Sequence, residues 1–326
     1  MKRVLIVGKI HEAGLALLRD HGGLEIEEIT DPDAPMPVDK LEQSDALLIR
    51  TGDLSEDDIR HADRLRVVSR HGVGCDNVPV DVLSARGIPI TTVGPVNAVS
   101  VAEQTMTMML ALTKRLAIYD QAVRNGDWMI RNSLGCAEIS GKTLLLLGLG
   151  RIGSEVAKRA CAFDMEVLVF DPFVKEGAAA AAGAVKVADW RAALGRVDVL
   201  SIHLPLTSDT HRIIDASALA AMKPTAIVIN TARGGLVDEA ALFEALSGRM
   251  QTGGAGLDTF ENEPPRPDAP LLGLPNVVLS PHSAAMTEES ARRMAEVAAR
   301  NVVAGLAGKL DPALVFNLKA LKDRKT

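Results

Sequence analysis

The chain of 326 residues is poor in aromatic residues and cysteines, and it lacks long apolar runs. Phe, Trp and Tyr together make up 3% of it, so surfaces on which nucleic-acid bases stack are not expected. The formal net charge of −6 also argues against a polyanionic partner. The spacing of the three cysteines, Cys75, Cys136 and Cys161, matches no metal-binding motif. We therefore expect no nucleic-acid partner and no bound metal.

The apolar segments are too short for a membrane protein. None approaches the roughly 18 consecutive apolar residues that a membrane-spanning helix needs. The N-terminal run ends by Lys9 and His11, which predicts a first strand rather than a signal peptide. The odd number of cysteines fits a reducing compartment. We expect a cytoplasmic protein with no membrane partner.

Short apolar runs alternate with helical patterns, which is typical of parallel sheets covered by helices on both faces. The length favours two domains. We predict an α/β fold with two doubly wound parallel-sheet domains and a cleft between them. The Rossmann cofactor domain spans 99–286, and the smaller flavodoxin-like substrate domain spans 1–98 and 287–326. The predicted strands lie near 4–7, 46–49, 67–69, 88–92, 144–147, 166–170, 198–202, 226–229, 254–257 and 277–280.

Two helical stretches bear on the architecture. One is predicted near Ser55–Ala62, and a long one runs from Ser100 to about Arg124. The surface of the long helix around Met106 and Met109 is too apolar for a solvated helix. Both domain core and a subunit interface remain open as explanations.

The segment from Lys142 to Asp171 reads as a strand, a glycine turn, a helix and a second strand that ends in an acid. Gly148 permits the tight turn, Gly150 lets the backbone approach a pyrophosphate, and Gly153 lets helix and strand pack closely. Asp171 follows at about the separation expected for the acid that binds the adenosine ribose hydroxyls. A glycine motif alone is weak evidence, but this combination predicts a dinucleotide site.

Three polar residues follow strands of the second predicted sheet, where ligands bind in such folds. They are Arg233, Glu263 and His282. Arg233 would hold a 2-oxo acid and polarise its carbonyl, and His282 would exchange a proton with the oxygen. Glu263 would orient and stabilise the imidazolium. Each residue also has a purely structural explanation, but their placement at the ends of successive strands favours hydride exchange at a 2-oxo acid.

The chain resembles the D-isomer-specific 2-hydroxyacid dehydrogenases over nearly its whole length. The matching stretches are 70–77, 97–103, 148–153, 203–207, 230–238 and 280–282. The resemblance implies the Arg–Glu–His roles above, with Asp258 on the nicotinamide carboxamide. It also implies that backbone N–H groups of Val73 and Gly74 bind the substrate carboxylate, and that the long helix takes part in a homodimer. The predicted NAD-binding residues are Gly148, Gly150, Arg151, Ile152, Gly153, Asp171, Pro172, His203, Pro205, Thr231 and Asp258.

Two positions of this resemblance leave choices open. The stretch 250–254 is about one residue longer than usual in the family, so Glu261 competes with Glu263 for the place beside the histidine. Asp171 favours NAD over NADP, because a 2′-phosphate would meet its carboxylate. Lys175 is close enough in sequence to keep that preference open.

The substrate prediction depends on Arg50 and Arg70, which end strands of the smaller domain. Two extra cations suit a second anionic group, and the phosphoglycerate dehydrogenase branch, which the chain resembles here, uses arginines at matching places. The leading candidate is 3-phosphoglycerate/3-phosphohydroxypyruvate, ahead of hydroxypyruvate or glyoxylate. Alternatively, the arginines pair with local acids such as Asp53. Because the sequence stops at Thr326, no appended regulatory domain is expected.

Two other functions compete with this prediction. A non-catalytic NAD(H)-sensing interaction protein, like the C-terminal-binding-protein corepressors, would share the glycine loop and Asp171. The complete Arg–Glu–His set and the lack of a disordered tail argue against it. A formate dehydrogenase is a further alternative, but the predicted cations fit a larger oxo acid better.

Overall fold

The computed structural model describes residues 1–31 and 34–324. The chain divides into two compact units, both α/β as predicted. The small unit contains Met1–Asn97 and the segment that begins at Met286, and the large unit is Ala98–Ala285.

The small unit contains a five-stranded parallel sheet in the order β2-β1-β3-β4-β5, the order of flavodoxin-like folds. Its strands are β1 (Lys2–Val7), β2 (Leu24–Ile29), β3 (Ala46–Ile49), β4 (Val67–Arg70) and β5 (Ile90–Thr91), and its first helices are α1 (Glu12–Asp20), α2 (Val38–Glu42) and α3 (Val80–Ala85). Strand β2 was not predicted, because three glutamates interrupt its apolar pattern at the sheet edge. The helix predicted near Ser55–Ala62 is wrong, since that stretch forms turns.

The large unit contains a seven-stranded parallel sheet in the order β12-β11-β10-β9-β6-β7-β8, the Rossmann order with one added strand. The strands are β6 (Thr143–Leu147), β7 (Glu166–Phe170), β8 (Val185–Lys186), β9 (Val199–Ile202), β10 (Ile227–Asn230), β11 (Gly254–Leu257) and β12 (Val277–Leu279). The helices are α4 (Ala98–Thr113), α5 (Leu116–Arg124), α6 (Arg151–Ala162), α7 (Glu176–Ala181), α8 (Trp190–Ala193), α9 (Ala216–Ala221) and α10 (Glu239–Ser247).

Strand β6 shows why this sheet is buried on both faces. Leu145 and Leu147 pack into one apolar cluster, and Leu144 and Leu146 pack into a second. Side chains alternate between the faces of a strand, so a continuous apolar run serves both clusters. The run thereby positions the glycine turn that follows it.

The single long helix predicted from Ser100 to Arg124 is wrong. The structure has two helices, α4 and α5, separated at Arg115, whose φ of 48° lies in the left-handed region. Met106 and Met109 of α4 are buried in the core of the large unit. Helix α5 has no buried residue.

The C-terminal segment returns to the small unit. Helix α11 (Glu288–Leu306) packs against α1, β3 and β4, and α12 (Leu318–Asp323) packs against α3. Within residues 1–31 and 34–324, none of the helices has the length and apolar character that crossing a bilayer requires.

Candidate active site

The glycine turn between β6 and α6 has the shape that a pyrophosphate needs. Gly148 has a φ of +97°, and a Cβ there would meet the His203 carbonyl oxygen at 2.6 Å. A Cβ at Gly153 would meet the Gly148 carbonyl oxygen at 2.2 Å. By contrast, a Cβ at Gly150 would have no atom within 4 Å, so this side of the turn is open. The N–H groups that begin α6 next to Gly150 can therefore receive an anion.

Asp171 follows β7 and ties this strand end to the glycine turn. Its carboxylate accepts hydrogen bonds from the N–H groups of Leu149 and Phe173, both at 2.9 Å. The residue is half-buried, next to the exposed Pro172. Asp171 thus shapes the predicted nucleotide site, and its contact with the ribose stays a prediction.

The remaining residues predicted to bind NAD lie in the same unit. Arg151 and Ile152 begin α6, and His203 and Pro205 follow β9. The His203 ring is 2.9 Å from the Ser201 hydroxyl, and burial lowers the pKa of His203 to about 4, so the ring is neutral at pH 7. Thr231 follows β10, and its buried hydroxyl bonds Thr105 of α4 at 3.0 Å.

Asp258 organises the loop that carries His282. Its buried carboxylate accepts hydrogen bonds from the N–H groups of Ser283 and Ala284 at 2.8 and 2.9 Å, and from the Ser280 hydroxyl. The Asp258 carbonyl accepts the His282 N–H at 2.7 Å. These bonds hold His282 at a φ of +50°, which non-glycine residues rarely adopt. The sequence did not predict this role, and the contact with the nicotinamide stays a prediction.

His282 and Glu263 form a hydrogen-bonded pair. The imidazole Nδ1 lies 2.7 Å from Oε2 of Glu263, whose Oε1 accepts the Phe260 N–H at 3.0 Å. Burial raises the pKa of Glu263, but these hydrogen bonds and the charges of His282 and Arg233 outweigh it and lower the pKa overall. Because an ionised carboxylate only accepts hydrogen bonds, Nδ1 donates to Glu263, and Nε2 is the ring nitrogen left for another partner.

Glu261, the competing carboxylate, has a different partner. Its Oε1 accepts hydrogen bonds from Nε and Nη2 of Arg212 at 2.9 and 2.6 Å. The structure therefore places Glu263 beside His282, and Glu261 in an ion pair with Arg212.

Arg233 follows β10 in a turn that packs directly on the loop of Glu263. The turn is held by the Asn230 side-chain amide, which donates to the Arg233 carbonyl at 2.8 Å. A Cβ at Gly234 would lie 1.8 Å from the carbonyl carbon of Phe260, so only glycine allows this contact. The charge of Arg233 lowers the pKa of Glu263. Arg233, Glu263 and His282 therefore share one region of the large unit.

The predicted substrate cations lie in the small unit, at the ends of adjacent strands β3 and β4. Arg50 donates to the Lys9 carbonyl at 2.5 Å, and burial lowers the pKa of Arg50. Arg70 donates to the carbonyls of Ile49 and Gly74, both at 3.0 Å. The second contact brings Arg70 to the Val73–Gly74 loop, whose predicted substrate contacts stay untested.

His71 follows Arg70, and the sequence did not single it out. Among the described residues, neither ring nitrogen has a hydrogen-bond partner, and the side chain is buried. Burial, and next the positive charges of Arg50 and Arg70, lower the pKa of His71 to about 4. No sequence pattern would have revealed this environment, because α11, the helix that contributes Ala291 beside it, lies more than 200 residues away.

The large unit matches a known family. The model of the D-isomer specific 2-hydroxyacid dehydrogenase NAD-binding domain matches residues 106–284. The chain belongs to the D-isomer-specific 2-hydroxyacid dehydrogenase family. The family assignment and the fold predicted from the sequence are thereby confirmed, and the match to an NAD-binding domain supports NAD as the cofactor.

Among curated members of the family, the chain is 38% identical to D-3-phosphoglycerate dehydrogenase of Methanocaldococcus jannaschii over 95% of its length. It spans only 58% of that relative. It is 36% identical to glyoxylate reductase of Korarchaeum cryptofilum, and the match covers 99% of this chain and 98% of the relative. These proteins are oxidoreductases that act on the CH–OH group of 2-hydroxy acids.

Solved structures of the same family agree in fold and differ in cofactor. D-lactate dehydrogenase of Aquifex aeolicus, complexed with NAD and lactic acid, is 30% identical with a TM-score of 0.84, and the match covers 98% of each chain. NADPH-dependent glyoxylate/hydroxypyruvate reductase of Sinorhizobium meliloti is 30% identical with a TM-score of 0.83, covering 98% of this chain and 99% of that one.

Proposed function

We propose that the chain is an NAD-dependent dehydrogenase that interconverts a small 2-hydroxy acid and its 2-oxo acid. The observation that carries this proposal is the 2.7 Å contact between His282 and Glu263, with Arg233 close enough to act on the same carboxylate. An acid–base pair beside a guanidinium suits proton exchange at a carbonyl flanked by a carboxylate.

Each residue of this set has a distinct task. Arg233 binds the carboxylate of the oxo acid and polarises its carbonyl. Nε2 of His282 donates a proton to the carbonyl oxygen during reduction and recovers it during oxidation. Glu263 orients the ring by accepting the hydrogen bond from Nδ1.

The glycine turn fits NAD because Gly150 is open to a ligand while Gly148 and Gly153 pack against protein backbone. When bound there, NADH would supply the hydride for reduction and NAD⁺ would accept it in oxidation. Asp171 would bind the adenosine ribose, and its carboxylate disfavours a 2′-phosphate. We therefore infer a preference for NAD over NADP.

For the substrate, we infer 3-phosphoglycerate and 3-phosphohydroxypyruvate as the leading pair. Arg50 and Arg70 lie on adjacent strand ends and provide two cations for a phosphate. The likeness to D-3-phosphoglycerate dehydrogenases supports this assignment. Reduction of hydroxypyruvate or glyoxylate is the second candidate, since the glyoxylate reductase relative is matched along 98% of its length.

We further propose a cytoplasmic homodimer. Helix α5 and the 3-10 helix Trp128–Ser133 contain no buried residue. Side chains of this segment that are more than half exposed are Leu116, Val123, Trp128, Met129 and Leu134. This exposed apolar surface supports a homodimer in which a second copy of the chain covers the segment.

Light scattering should show that Trp128→Glu with Leu134→Glu halves the mass, whereas Phe316→Glu, an exposed site in the small unit, does not.

The test of the proposed function is NADH oxidation with phosphohydroxypyruvate, hydroxypyruvate, glyoxylate and a bulky 2-oxo acid. Turnover by the wild type that is lost in His282→Ala would support the dehydrogenase function. The 2-oxo acid with the highest kcat/KM would distinguish phosphohydroxypyruvate from hydroxypyruvate or glyoxylate as the substrate. Tight NADH binding without turnover of any acid would instead favour the sensing function.

A further inference from the structure

The loops that follow β9, β10 and β11 are joined by bonds outside the Arg233–Glu263–His282 set. After β9, the Arg212 N–H donates to the Gly235 carbonyl at 2.7 Å, and the Arg212 side chain pairs with Glu261. After β10, Oε1 of Glu239, the first residue of α10, accepts the Glu261 N–H at 2.6 Å. We call Arg212, Glu239 and Glu261 the loop clamp.

The clamp acts on the loop whose far end is Glu263. The Glu261 N–H donates to Glu239, and the preceding N–H, of Phe260, donates to Glu263. Gly234 packs on the peptide between Phe260 and Glu261, so the turn of Arg233 rests on the same peptide. A shift of this peptide would therefore displace both Arg233 and Glu263.

We propose that Glu239 is a positioning residue, which holds the Phe260–Glu261 peptide so that Glu263 and Arg233 stay aligned with His282. The inference rests on the proposed function for its kinetic consequence. Glu239 does this by accepting one hydrogen bond from the backbone. Burial raises the pKa of Glu239, the hydrogen bond from the Glu261 N–H lowers it in part, and the charges of Glu261 and Glu263 raise it further. The bond to Glu261 is therefore the interaction that favours a carboxylate at a site that otherwise disfavours one.

Three substitutions separate the hydrogen bond from the charge. Glu239→Gln keeps an acceptor at the same distance and removes the charge. Glu239→Ala removes both, and Glu239→Asp keeps the charge but withdraws the acceptor by one methylene. Glu244→Ala is the matched control, because Glu244 is an exposed glutamate on the same helix.

The kinetic measurement uses NADH and the 2-oxo acid that the wild type reduces best. We expect Glu239→Ala and Glu239→Asp to lower kcat about tenfold, because small displacements of catalytic groups are costly, with the KM for NADH changed less than about twofold. Glu239→Gln should stay within about threefold of wild type. A kcat for Glu239→Gln as low as that of Glu239→Ala, or an equal loss in Glu244→Ala, would overturn the proposal.

The second measurement is amide hydrogen exchange at Phe260 and Glu261, followed by ¹⁵N NMR without substrate. In Glu239→Ala we expect exchange to accelerate by about tenfold or more at both amides, because loss of the clamp frees the loop that carries Glu263. Acceleration at Glu261 alone would show a purely local bond and would overturn the proposal. This readout needs no turnover, so a wild type inactive on every oxo acid would refute the proposed function and leave the clamp testable.

Discussion

The two units place their polar side chains at strand ends in different ways. In the large unit, the loop after β11 packs on the loop after β10 and is hydrogen-bonded to the loop after β12, through direct contact of the candidate acid–base residues. In the small unit, Arg50 and Arg70 donate to main-chain carbonyls of their own sheet edge, and His71 is buried beside them.

This difference corresponds to two physical demands. Proton transfer needs groups aligned to within a fraction of an ångström, so the large unit fixes side chains against each other. Binding an anion mainly needs positive charge at the correct edge, and guanidinium groups anchored on carbonyls supply it. Changes in the large unit should therefore lower kcat, and changes in the small unit should raise KM.

The largest expected effect is in the large unit. We expect His282→Ala to lower kcat about 1,000-fold, because the proton donor is lost. The Kd for NADH, measured by fluorescence, should change less than about twofold. A Kd that rises in step with the loss of kcat would mean that His282 serves binding rather than proton transfer.

Next come the small-unit cations. Arg50→Ala and Arg70→Ala should each raise the KM for phosphohydroxypyruvate by about tenfold or more, because a charge-assisted hydrogen bond is lost. The KM for glyoxylate should change less than about threefold. Arg60→Ala, which removes an exposed arginine of the same unit, is the control. Equal effects on both acids would count against a second anionic group in the substrate.

The preference for NADH over NADPH tests the predicted role of Asp171 in the large unit. We expect kcat/KM to be at least about tenfold higher with NADH than with NADPH, since Asp171 would repel the 2′-phosphate. Asp171→Asn should narrow this ratio, because it removes the charge while its carbonyl can still accept the Leu149 N–H. A wild type that prefers NADPH would refute the assignment.

The last prediction concerns the contribution of His71 to stability. Its pKa is about 4 in the folded chain and about 6.5 when unfolded, so the unfolded state binds more protons below pH 6.5. The free energy of unfolding should therefore fall by about 2 kcal/mol between pH 7 and pH 5 through this residue. Urea unfolding should show a weaker pH dependence in His71→Gln, but not in His61→Gln, which replaces an exposed histidine. If His71→Gln left the pH dependence of stability unchanged, the lowered pKa of His71 in the folded chain would be contradicted.

Features set by neighbouring residues in the chain could be predicted from the sequence, whereas features set by contacts between distant segments could not. Strand β3 was predicted at its observed bounds, because four apolar residues between polar neighbours form a local pattern. Strand β2 was missed, because its pairing with β1 compensates for a glutamate-rich segment. The break at Arg115 was missed too, since the sequence around it carries no glycine or proline to end a helix.

The α/β class, the glycine turn with its acid, and the polar residues Arg233 and His282 after their strands could be predicted from the amino-acid sequence. Those features follow from periodicity and spacing along the chain. The folded structure was needed to show that Glu263 rather than Glu261 meets His282, that Glu239 accepts the Glu261 N–H, and that His71 is buried near Arg50 and Arg70. Each of these depends on which separate loops and helices pack together, and spacing along the chain does not carry that information.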